Sequence, residues 1–129
     1  MSDAFTDHRV DPAAMQTGLS LAREGRLDEA LAHFREVGGT HDKNALAMMY
    51  MVTRVTGDRS HSLELCEAAL PLDDAPMYTS TWTLRRALLL VELEDEKRAV
   101  LEFTKVISLR ASDDQVQQAQ AALLQLSRR

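Results

Sequence analysis

The side chains that could carry chemistry are few and scattered. Four histidines, His8, His33, His41 and His61, stand far apart with no HExxH pattern and no cysteine partner, so metal ligation would need a chance convergence in space. They read as solvated surface groups. Phosphate-cradling and nucleophile-elbow signatures of the forms GxxxxGK[ST], GxGxxG and GxSxG do not occur, and Gly38-Gly39 reads as a helix stop. The acidic sets Asp73-Asp74, Glu92-Glu94-Asp95-Glu96 and Asp113-Asp114 could pair carboxylates for acid–base work or hold calcium. Each is expected at or beside a helix start, where the macrodipole favours negative charge, and none has calcium-loop spacing. The reading is therefore a non-enzyme, with no catalytic residue, no metal and no cofactor. Trp82, the sole tryptophan, is read as core.

Behind these residues stand helices. Asp11-Pro12 offers an N-cap followed by proline at the first helical position, where its missing N–H costs nothing. The helix that begins there carries Met15, Leu19 and Ala22 up to Gly25, a residue able to take the left-handed conformation that closes a helix. Leu27, Ala30, Leu31, Phe34 and Val37 then fall on one face of a second helix, ended at Gly38-Gly39. A third helix is expected over 43–56, stopped by Gly57, and a fourth over 58–70, stopped before Pro71. The loop PLDDAP leads to a fifth helix over 76–93, and EDEKRAVLEFTKVISL gives a sixth up to Leu109. Ser112, with Gln115 three residues on, makes a capping box for a seventh, whose Val116, Ala119, Leu123 and Leu126 form a single apolar stripe.

Composition agrees with helix throughout and bounds the function. A chain of 129 residues, 45% hydrophobic and 27% charged with five Gly and three Pro, is large enough to bury a core without metal or disulfide help, and one compact unit is expected. The formal charge of -5 argues against nucleic acid as a partner. One cysteine, Cys66, cannot form an internal disulfide, and the opening MSDAFTDHRVDP lacks the basic start and apolar core of a secretory signal. A cytoplasmic setting is the default expectation. The longest apolar run, ALAMMYMV at 45–52, is far below the roughly 20 residues of a spanning helix, so no membrane insertion is expected.

The helices repeat. RLDEALAHF matches EKRAVLEF so that Ala30 aligns with Ala99 and Phe34 with Phe103, both 69 residues apart, or two units of about 34. A middle unit aligns through Gly25 and Gly57, with Ser62 in the alanine place and Cys66 in the phenylalanine place, where a buried thiol is inert. On these residues the chain resembles the tetratricopeptide repeat family, whose unit is a helix hairpin with small residues where the helices cross. Gly18, Leu21, Gly25, Ala30 and Phe34 match the family pattern in the first repeat, and Ala87, Leu90, Ala99 and Phe103 in the third. The second departs from it at Tyr50 and Ser62. The fold expected is all-α, a helical-hairpin solenoid of about seven helices. The tail is 1–10, the repeats 11–42, 43–75 and 76–110, and the capping helix 112–129.

The resemblance implies a protein–protein interaction module, an adaptor or scaffold whose first helices line a concave groove. Those helices are apolar nearly all round, in contrast to the one-sided second helices. The groove residues implied are Met15, Leu19, Ala47, Met51, Leu84, Leu88 and Val91, rimmed by Arg23, Arg54 and Glu92. A methionine-lined face suits an amphipathic helix or a short extended segment of another protein. Repeats of this family that grip the acidic tails of heat-shock chaperones use Lys and Asn in the groove. Here Asn44 has no matching lysine in the other units. The alternatives are a self-associating subunit, in which a homodimer closes the groove, and a small chaperone of the kind that shelters translocator proteins in type III secretion.

Overall fold

A computed structural model describes residues 11–38 and 42–129. Among them the chain is all-α, with α1 (Pro12–Arg23), α2 (Leu27–Gly38), α3 (Lys43–Thr56), α4 (Arg59–Ala69), α5 (Pro76–Glu92), α6 (Glu96–Leu109) and α7 (Asp113–Ser127). His8, Gly39 and His41 lie outside the described residues.

The helix starts follow from short polar side chains that satisfy otherwise orphaned N–H groups. The carboxylate of Asp42 accepts from Ala45 N at 2.9 Å, that of Asp58 from His61 N at 3.1 Å, and that of Asp95 from Arg98 N at 3.3 Å. Asp11 caps α1 through Ala13 N ahead of Pro12. The fourth helix is a residue shorter than expected at each end. Pro71 brings no N–H to continue the ladder, and the chain tightens into a 3-10 turn over Leu70–Leu72.

The chain divides between Leu72 and Asp73 into two compact units. The division falls in the PLDDAP loop and replaces the one compact unit expected from the chain's length. In the first unit α1 packs on α2 and α3 on α4, with α2 also against α3. In the second, α5 and α6 form a hairpin that α7 covers, chiefly along α6.

Three hairpins share one closure. Gly25 (φ 80°), Gly57 (φ 79°) and Glu94 (φ 63°) hold the left-handed position. After each, an N–H returns to the preceding helix: Arg26 N to Leu21 O at 2.9 Å, Asp58 N to Thr53 O at 3.0 Å and Asp95 N to Leu90 O at 2.8 Å. This is the glycine-type helix ending written three times, the third time with a glutamate. The aligned small residues Ala30, Ser62 and Ala99 are fully buried, as are Phe34, Cys66 and Phe103 one turn later. Trp82 is buried too.

Burial of Ser62 is accommodated by pairing. Its hydroxyl lies 2.7 Å from Thr53 Oγ1 and 2.9 Å from Asp58 O, while Thr53 Oγ1 donates to Tyr50 O. The positions that hold Leu21 and Ala30 in the first hairpin and Leu90 and Ala99 in the third carry two paired hydroxyls in the middle one.

Candidate protein-docking faces

Each unit leaves part of a first helix bare. On α3, Ala45, Leu46, Met49, Val52 and Thr53 are buried, while Met51 is 56% exposed and Val55, one turn on, 76% exposed. Arg54 lies beside them, also exposed. Met48 and Ala47 are half-buried. On α5, Leu88 is 44% exposed and Val91 half-buried, whereas Leu84 on the same stripe is buried. On α1, Met15 and Leu19 are half-buried and Arg23 is exposed. Glu92 is exposed at the end of α5.

The expected groove residues thus fall into two groups. Met15, Leu19, Arg23, Ala47, Met51 and Arg54 belong to the first unit, and Leu84, Leu88, Val91 and Glu92 to the second. Met51 and Arg54 come together on one side of α3, three residues apart on a helix. Leu19, Met51 and Leu88 hold the same place in the three hairpins, each six residues ahead of Gly25, Gly57 and Glu94. Val55 was missing from the expected set, although its spacing of four from Met51 puts it on the same side.

The chemistry-bearing side chains are otherwise engaged. His33 departs from the expectation of a solvated histidine. It is half-buried between α1 and α2, its Nε2 lies 2.7 Å from Ala14 O, and its ring meets Phe34 edge-on. A carbonyl can only accept, so Nε2 carries the hydrogen. His61 sits between Asp58, 3.7 Å from Nδ1, and Arg35, 3.5 Å from Nε2. Cys66 is buried, which keeps the thiol from reagents.

The acidic sets resolve into helix-end structure, with one correction. Asp95 is the N-cap of α6, Asp113 and Asp114 open α7, and Asp73 Oδ1 accepts from Ala75 N at 2.8 Å ahead of α5. Glu92, however, closes α5, and Glu94 occupies the left-handed turn; neither sits at a helix start. Among the described residues no group of three or more His, Cys, Asp or Glu could hold a metal ion, and no helix is long and apolar enough to cross a membrane.

Two polar arrangements could not be read from spacing. Buried Glu102 is ion-paired with Arg86 of α5 and lies 3.3 Å from Lys105 Nζ. The other revises the capping box. Ser112 Oγ accepts from Gln115 N at 3.3 Å, but the Gln115 side chain crosses to α5, where Oε1 accepts from Ser80 and Nε2 donates to Thr81 Oγ1 at 2.9 Å. The residue thereby ties α7 to the α5–α6 hairpin. Nearby on α5, Arg85 lies 4.6 Å over the Trp82 ring. Burial, with a smaller contribution from Asp73, raises the Tyr78 phenol above its ordinary range.

In comparison with known proteins, no family model and no curated protein matches this sequence. The class the chain defines by itself is an all-α protein of repeated helical hairpins.

Proposed function

We propose that the chain is a tetratricopeptide-type protein of three hairpins and a capping helix, and that it serves as a protein–protein interaction module. In this reading it is an adaptor or scaffold that takes an apolar segment of another protein on the bare side of a first helix, α3 in the first unit or α5 in the second. The observation that carries the proposal is the placing of Met51, Val55 and Leu88. Met51 and Leu88 occupy one position in two hairpins, and all three are exposed while Ala45, Leu46, Met49 and Val52 of α3 and Trp82, Leu84, Ala87, Leu89 and Leu90 of α5 are buried. Large apolar side chains cost solubility when clustered in water, and helical-repeat proteins use such positions for recognition. A second copy of the chain would cover the same residues in the self-association reading.

The test is purification from the native cell of the wild-type chain beside Met51→Glu and Leu88→Glu variants, with bound proteins identified by mass spectrometry. The proposal expects a protein recovered with the wild type and lost from at least one of the variants. Recovery of the same proteins with all three overturns it. Mass measured against concentration separates the second reading: a dimer that dissociates on either substitution makes the face a self-association surface.

A further inference from the structure

After Pro76 the chain has no further glycine or proline, yet its helix breaks between Leu109 and Asp113. Three residues make the break. Arg110 closes α6 with φ 48° and ψ 36°, a left-handed backbone that a side chain disfavours, and Ser112 caps α7 through Gln115 N. A strained hinge therefore joins two helices that nothing in the intervening sequence forbids from running on as one.

The helix beyond the hinge is lightly seated. Ala119 is the one fully buried residue of α7, while Val116, Leu123 and Leu126 are half-buried and Leu124 is 54% exposed. Two polar ties fix its direction. Gln115, near its start, holds Ser80 and Thr81 of α5, and Arg129, just past its end, is ion-paired with Glu96 at the start of α6. α7 thus runs antiparallel to α6.

We infer that two copies of the chain exchange α7. In the exchanged dimer α6 and α7 of each copy form one helix over 96–127, Arg110 takes ordinary helical backbone, and each α7 lies on the α5–α6 hairpin of the other copy. Because α7 is antiparallel to α6, two such helices side by side in opposite directions repeat the α6–α7 packing twice about a two-fold axis. The ties of Gln115 and Arg129 are remade between chains, so the closed monomer and the dimer differ chiefly at the hinge. A short hinge under strain is the setting in which an element passes to a second copy. These ties involve neither Met51 nor Leu88, and the inference does not rest on the docking role proposed above.

The experiment uses the full chain carrying Glu96→Cys mixed with the full chain carrying Arg129→Cys. The two are unfolded in urea and refolded together at low and at high concentration, then treated with a bis-maleimide that joins the pair within a monomeric chain carrying both substitutions. Both positions are about half exposed and open to the reagent. Light scattering after size exclusion should show a dimer that grows with concentration, and the reagent should link the two chains to each other within it. Arg110→Gly accepts the left-handed backbone and weakens the continuous helix, so it should raise the dimer dissociation constant about tenfold or more, with helix content unchanged by circular dichroism. Ser112→Ala removes the cap that starts α7 and should lower it.

A monomer at every concentration overturns the exchange, as does a dimer in which the two chains are not linked. A dimer unmoved or strengthened by Arg110→Gly overturns the role of the hinge. Loss of the dimer on Met51→Glu or Leu88→Glu makes it the self-association of the docking face and overturns the exchange as well.

Discussion

A Cβ built on Gly18 would stand 2.3 Å from Cζ of Phe34, with two more ring atoms inside 3.0 Å. The glycine of α1 is therefore a socket for the aromatic of α2, and the first hairpin closes because one side chain is absent where another is large. Phe34 is itself fully buried and has no open side to move toward. Gly18→Ala should lower stability by about 1–3 kcal/mol despite the better helix propensity of alanine, the usual range for overpacking. Denaturant unfolding checks this, and the loss should shrink in a Phe34→Leu background. An equal loss in both backgrounds would mean that the ring is not the obstacle.

Phe34 and Phe103 occupy corresponding buried places, 69 residues apart, each paired with a buried alanine four residues earlier. Truncation of either to Ala should cost about 3–5 kcal/mol, as for other buried aromatics. Equilibrium unfolding would refute the correspondence if both lost less than about 1 kcal/mol.

Glu94 is the member of the turn set with a side chain to disfavour its backbone. Left-handed backbone costs an ordinary residue about 1–2 kcal/mol, so Glu94→Gly should stabilise the protein by about 1 kcal/mol. Gly57→Ala should do the reverse, and a Cβ there meets nothing within 4 Å, so that loss is conformational rather than steric. Thermal melting of the two variants should move in opposite directions; a shift of both the same way would contradict the shared turn.

Thr53 and Ser62 form a hydroxyl pair where the flanking hairpins place Leu and Ala. Ser62→Ala and Thr53→Val should each cost about 1 kcal/mol, and the double variant less than the two together, because no buried hydroxyl is then left with a missing neighbour. A double-mutant cycle by urea unfolding reads the coupling. Strict additivity would mean that the two hydroxyls do not depend on each other.

The helices were legible in the sequence because their ends are written in residues with a single steric or hydrogen-bonding meaning. Asp11-Pro12, Gly25, Gly57 and Pro71 each fix a start or a stop whatever lies around them. Glu94 was not legible as a turn residue, since nothing in a glutamate announces a positive φ; only its separation of 69 from Gly25 could have revealed it. His33, Glu102 and Gln115 escaped for another reason. Their roles are set by partners 19, 16 and 34 or 35 residues away, and helical periodicity carries no information about which polar side chains meet across helices. At the candidate site, spacing placed Met51 and Leu88 on sides of their helices that the structure leaves exposed. It could not tell that Leu84, on the same stripe as Leu88, is covered, because burial depends on the neighbouring helix as well as on the stripe.

The central claim is that Met51 and Leu88 wait for a partner rather than hold the fold, and chemical unfolding of Met51→Glu and Leu88→Glu beside Leu46→Glu tests it most directly. Leu46 is fully buried on the same helix as Met51, so a carboxylate there should unfold the first unit. The account predicts that the other two variants keep their helix content and lie within about 0.5 kcal/mol of the wild type, as exposed substitutions do. Losses of several kcal/mol at Met51 and Leu88, comparable with the loss at Leu46, would make them core residues and contradict the account.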